Sequence, residues 1–178
     1  MVCGCPTPTG ILGPIMNKTI ESLKEYLKSN GCVFDFDRKK ETLHFGIDGK
    51  NARWRSMACA DNAGRFVMVS LIPLQAVEHR RRACSELLTR INARIGLGHF
   101  DLDFNDGELR FLTSIPLGEK DRLSHEVIEH VIRGHHTLVD DFIPAIAAVL
   151  FAATSPEKAI SLNAQPTPDR AEAGFSLN

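Results

Sequence analysis

PLQAVEHRRRACSELLTRINARIGLGHFDLDFNDGELRFLTS, residues 73–114, decides the fold, because a helix, a glycine corner and a hairpin follow one another in it. Val77, Cys84, Leu88, Ile91 and Ile95 recur at helical spacing, and Leu87 widens them into one apolar stripe that must be buried. Glu86 precedes Arg90 by one turn on the opposite side, the favourable order for a solvated ion pair, and His79 and Arg82 extend that polar face. Gly96 and Gly98 then stop the helix and turn the chain. Phe100, Leu102 and Phe104 alternate with Asp101 and Asp103. Asn105, Asp106 and Gly107 separate them from Leu109, Phe111 and Thr113, which predicts a hairpin.

Working outward to the N-terminal side, residues 18–29 form a short amphipathic helix. Asn17 or Thr19 is its cap, Ile20, Leu23 and Leu27 are its apolar face, and Gly31 is its stop. Residues 32–37 alternate as a strand, and residues 38–41 make a polar turn. A second strand sets Leu43, Phe45 and Ile47 against Thr42, His44 and Gly46, and Asp48 and Gly49 mark the next turn. Residues 51–60 place Ala52, Trp54, Ser56 and Ala58 on one face and Arg53, Arg55, Met57 and Cys59 on the other. Residues 65–72 are apolar on both faces, which predicts an interior strand covered on each side and ended by Pro73.

On the C-terminal side, Ser124 caps a third helix with Glu126 and Glu129 near its positive end and Ile128, Val131, Ile132, Val139 and Phe142 as its stripe. Gly134 and Pro144 lie inside the pattern, so a kink or break is expected between residues 137 and 143. Residues 142–153 are apolar on nearly every side but fall short of the roughly 20 residues a membrane span needs. They read as a buried helix whose second face meets a partner. A homodimer follows, with Phe142, Ile146 and Leu150 as the candidate interface. Ser155, Pro156 and Glu157 start a last helical turn through Ile160. Residues 162–178 read as a disordered tail.

A chain of 178 residues that is 43% hydrophobic is long enough for one substantial core, here residues 17–161, with a leader at 1–16. Twenty-one basic and 22 acidic residues leave a net charge of −1, so no overall field favours nucleic acid or anionic lipid as a partner. The five cysteines, Cys3, Cys5, Cys32, Cys59 and Cys84, are odd in number and scattered, which argues for the reducing cytoplasm. The first fifteen residues lack a basic n-region and are broken by glycines and prolines. They are not a secretory signal, and read as a disordered leader or as sequence upstream of a true start at Met16. Cys3 and Cys5 are too closely spaced for a zinc half-site.

Two clusters carry candidate chemistry. His125, Glu126, Glu129 and His130, with His135 and His136 beyond, approach a zinc-helix pattern. The two histidines of that pattern stand four apart, whereas His125 and His130 are five apart, about 140° around a helix. A solvated Glu126–His130 pair explains the spacing as well as a mixed metal site or a small hydrolase does. Arg80, Arg81 and Arg82 oppose the dipole of the helix they open, and at least one of them points towards the apolar stripe. Their partners are Glu78, Asp101 or Asp103, or else an anionic ligand or an acidic patch on another protein. Cys59 and Cys84 read as core thiols, and Trp54 between Arg53 and Arg55 as part of a half-buried strand. No phosphate-cradling loop, nucleophile elbow or paired-carboxylate motif is present, so no cofactor and no catalytic residue is predicted.

The extended strands ending in Ser70, Leu71, Ile72 and Pro73, the helix with Leu87, Leu88, Ile91 and Asn92, and residues 98–107 together resemble the YbjN family of bacterial sensory-transduction regulators. Asp140, Pro144 and Ala145, and the closing Ser155 to Ala159, extend the resemblance over about residues 19–160. It implies an α+β fold with an antiparallel sheet packed with helices, type III secretion chaperone-like, in the order α-β-β-β-β-α-β-β-α. It implies a non-enzymatic regulatory or chaperone-like module that binds a protein partner, and it carries no active-site residues.

Overall fold

The computed structural model describes residues 18–117, 123–163 and 176–177. Its first element, α1 (Lys18–Ser29), buries Ile20, Leu23, Tyr26 and Leu27. Thr19, an expected cap, instead lies inside the helix, where its hydroxyl accepts the Leu123 N–H at 3.2 Å; Asn17 falls outside the described residues. Gly31 stops α1 at φ 68°, which lets the Cys32 N–H return to the Leu27 carbonyl at 2.8 Å.

Four antiparallel strands follow: β1 (Phe34–Asp37), β2 (Thr42–Asp48), β3 (Arg53–Ala60) and β4 (Arg65–Gln75). A 3-10 turn (Glu78–Arg80) and α2 (Arg81–Asn92) lead to the hairpin β5 (His99–Leu102) and β6 (Glu108–Pro116). Because β6 pairs with β4, the sheet order is β1-β2-β3-β4-β6-β5. Then come α3 (His125–Phe151) and α4 (Pro156–Asn163). A two-residue strand, β7 (Ser176–Leu177), pairs with β2. The expected α+β class and its order of elements hold; α4 is the helical turn expected through Ile160, extended to Asn163, and β7 is added.

Four expectations need correction. Pro73 does not end β4. The step from Leu71 to Gln75 on β4 faces the shorter step from Arg110 to Glu108 on β6, a bulge that absorbs a residue with no N–H to give. Phe104 lies in the turn after β5, 53% exposed. The third helix does not break at Pro144. That proline cannot donate to the Asp140 carbonyl, but Asn51 Nδ2 does so at 3.0 Å, and α3 stays unbroken over its 27 residues. The expected tail over residues 162–178 does not hold at 162–163, where α4 continues to Asn163, nor at 176–177, which pair with β2. The leader, Cys3, Cys5 and residues 164–175 lie outside the described residues.

The helices form one layer on one face of the sheet. Cys84, Leu87, Leu88 and Ile91 of α2 and Ile128, Val131, Ile132, Val139, Ile143 and Ile146 of α3 are buried with Phe45, Ile47, Trp54, Phe66, Met68 and Phe111 of the strands. Asn92 ties α2 to the edge strand β5. Its side chain donates to the Phe100 carbonyl at 2.9 Å and accepts the Phe100 N–H at 2.8 Å, which closes part of that edge. Ser124 caps α3, its hydroxyl accepting the Val127 N–H at 3.3 Å. No helix among the described residues is long and apolar enough to cross a membrane.

Candidate functional site

Alternation along β4 sends Phe66, Met68, Ser70 and Ile72 under the helices. Ser70 is the polar centre of that face. The Trp54 Nε1–H donates to its hydroxyl at 3.2 Å, the Ser56 hydroxyl lies 2.7 Å away, and His135 Nε2 lies 2.8 Å away. The other ring nitrogen of His135 is 2.9 Å from the Thr113 hydroxyl. Trp54 can only donate, so it fixes one acceptor role on Ser70, and a neutral imidazole in either tautomer completes the set. Burial holds His135 well below the ordinary histidine range, with His136 adding to the effect, and burial alone pushes His136 down to about 3. Ser70 and His135 have the atoms of a nucleophile and a base at hydrogen-bond distance, but both are 0% exposed, so no substrate reaches them. The seam docks α3 onto the sheet.

A second polar tie lies about one turn further along α3. The buried Asp140 carboxylate accepts the Lys50 N–H at 3.1 Å and the Asn51 N–H at 2.8 Å, and so holds the β2–β3 turn against the helix. Gly49 makes this fit possible: a Cβ there would run into Asp140 Oδ1 and the Trp54 ring. The Asp-Gly turn legible in the sequence is therefore needed for a close approach to a distant helix.

The opposite face of the sheet differs. Met57 on β3, Val67, Val69 and Leu71 on β4, and Leu112 on β6 are only partly buried, and no helix among the described residues lies over them. The register makes them one patch, because Met57 stands opposite Val69, which stands opposite Leu112. Arg55 and His44 are exposed beside it, and Arg110 crosses its far side, paired with Asp103 and Glu108. At the β1–β2 side the face dips into a hollow of about 530 Å³ lined by Phe34, His44, Arg55, Met57 and Leu71, with Val33 exposed at its rim.

The residues singled out from sequence do not meet in one place. Arg81 is held by backbone carbonyls, its Nε donating to Ala76 at 3.1 Å and a terminal nitrogen to Phe104 at 2.8 Å. The expected carboxylate partners are not what compensates it; Asp103 turns to Arg110 instead. Arg80 is half-buried and Arg82 is exposed. Of the expected interface on α3, Ile146 (0% exposed) and Leu150 (5%) are buried inside the chain. Phe142 is half-buried and packs edge-on against Phe100, with 5.8 Å between ring centroids. The segment is apolar on all sides because the sheet takes one side while α2 and α4 take another.

His125 and His130 are exposed, His125 lying against the Tyr26 ring, while Glu126 accepts from the Ser124 hydroxyl. Among the described residues no three histidine, cysteine or acidic side chains converge as a metal-ligating set. Cys32, Cys59 and Cys84 are buried, and burial pushes the thiols of Cys32 and Cys84 up to about 11. Trp54, expected on a half-buried strand, is almost fully enclosed at 3%. Sequence reasoning missed the Ser70–His135 seam and the Asp140 tie. The signals available were serines at inward-facing strand positions and, within an apolar helix, the Asp140 carboxylate on the same face as Ile132 and His136.

A family model described as "Putative bacterial sensory transduction regulator" matches residues 19–148. Among solved structures, the chain is similar to the crystal structure of "YbjN, a putative transcription regulator from E. coli". The two are 13% identical, with 68% of this chain and 87% of that one covered and a TM-score of 0.48. It is also similar to the HopA1-SchA chaperone-effector complex, at 18% identity, 67% and 88% coverage and a TM-score of 0.44. A comparison with curated protein sequences finds no match.

Proposed function

The chain belongs to the YbjN family, and from that premise we propose that it is a non-enzymatic regulatory or chaperone-like module of the bacterial cytoplasm that binds another protein through the open face of its sheet. One observation carries this reading: a continuous apolar patch, Met57, Val67, Val69, Leu71 and Leu112, lies on a face that no described helix covers. The covered face bears the buried polar seam and is the scaffold. Arg55 and His44 border the patch and favour a partner segment with carboxylates beside its apolar residues. Self-association belongs to the same reading, since a two-fold axis through Val69 would set the patch against itself.

The test compares the native chain with a Val69→Lys, Leu112→Lys variant. Lysine stems lie along the sheet while their charge disrupts an apolar contact, so the variant should stay folded. It should recover at least tenfold less partner, second copies included, in affinity capture from bacterial lysate. Equal recovery would move the function off this face.

A further inference from the structure

The outer edge of β2 is shared. β1 pairs with Thr42 through Phe45, while β7 pairs with Ile47 and Asp48, Leu177 standing opposite Ile47 and Ser176 opposite Asp48. Both run antiparallel to β2, so β7 continues the line of β1 past Phe34 with a gap opposite Gly46. The hollow on the open face lies at this gap, since Val33, Phe34, Phe45 and Gly46 all line it. A strand edge with unpaired backbone groups beside an apolar hollow is what an extended segment needs: main-chain pairing supplies affinity, and a side-chain pocket supplies selectivity.

We propose that the β2 edge over residues 46–48 is an acceptor slot for an extended protein segment with apolar residues at alternate positions, that residues 176–177 are its resident occupant, and that a partner enters by replacing them. The replacement step rests on the protein-binding reading above. A two-residue ladder is weak by itself. It persists because residues 176–177 belong to the same chain as β2, and an intramolecular contact has an effective concentration in the millimolar range. A partner segment that paired over the same edge and also set one leucine or phenylalanine into the hollow would bind about tenfold to a hundredfold more tightly than the resident. Exchange would then be favourable at free partner concentrations above roughly 10–100 µM.

The test uses the full chain, the full chain carrying Ser176→Pro and Leu177→Pro, which lack the strand N–H groups, and an acetylated peptide of residues 171–178 as probe. Amide exchange at residues 46–48 should quicken at least tenfold in the variant while the amides of β3 and β4 stay as they were. The peptide should bind the variant with a Kd of about a tenth of a millimolar or below, shift the resonances of residues 46–48, and bind the native chain at least fivefold more weakly. Unchanged exchange, equal binding to both chains, or no binding to the variant at several millimolar peptide would each overturn the proposal. So would a native dimer that the two prolines dissolve, since the strand would then be supplied by a second copy. No partner enters this experiment, so its outcome is independent of the lysate capture.

Discussion

Strand β4 holds the contrast between the two faces within eleven residues. Phe66, Met68, Ser70 and Ile72 are buried under α3, whereas Val67, Val69 and Leu71, no less apolar as a set, stay partly exposed. Apolarity therefore does not tell which face is scaffold. The partners do: the inward face meets a helix that supplies matching apolar residues and a histidine for the one serine among them, and the outward face meets no described helix.

Truncation should separate the faces most sharply. Phe66→Ala or Phe111→Ala removes a fully buried ring and should cost about 3–5 kcal/mol in urea unfolding. Val69→Ala should cost less than about 1 kcal/mol. Similar losses on both faces would mean that the outer patch is core.

Acid between about pH 6.5 and 5 should act chiefly on the covered face. His135 and His136 stay neutral in the fold, while the unfolded chain takes up protons below about pH 6.5, so stability declines as pH falls from there towards 3. For His136 the loss at pH 5 is about 2 kcal/mol, and His135 adds to it in the same direction. Urea midpoints at pH 7 and pH 5 should differ accordingly, and His136→Leu should reduce the difference. An unchanged difference would place the acid sensitivity elsewhere.

Asp140→Ala deprives the Lys50 and Asn51 N–H groups of their acceptor and should cost about 2 kcal/mol. The loss should appear together with faster amide exchange in the β2–β3 turn. The smallest effect on stability, within about 1 kcal/mol, is expected for Val69→Lys with Leu112→Lys, the variant expected to lower partner capture at least tenfold.

The sequence showed those parts of the fold that are local. Ser124 caps its helix through a hydroxyl three residues from its target, Gly31 stops α1 through its own backbone, and strand alternation needs only neighbours. What it concealed depends on residues far apart. Pro144 breaks nothing because Asn51, 89 residues from Asp140, supplies the missing donor. Ser70 and His135 are 65 residues apart, and neither alone suggests a seam. Ile146 and Leu150 looked like surface for a second copy because nothing local says that α2 and α4 fold back over them. The apolar character of both faces of β4 was legible, but not that one of them would meet no described helix.

The most direct test places a photo-reactive benzophenone side chain at position 69, on the open face, and at Lys28, on the exposed side of α1, and irradiates bacterial cells making each chain. The account predicts a discrete adduct, with a partner or a second copy, from position 69 and none from position 28. Silence at position 69, or the same adducts from both positions, would contradict it.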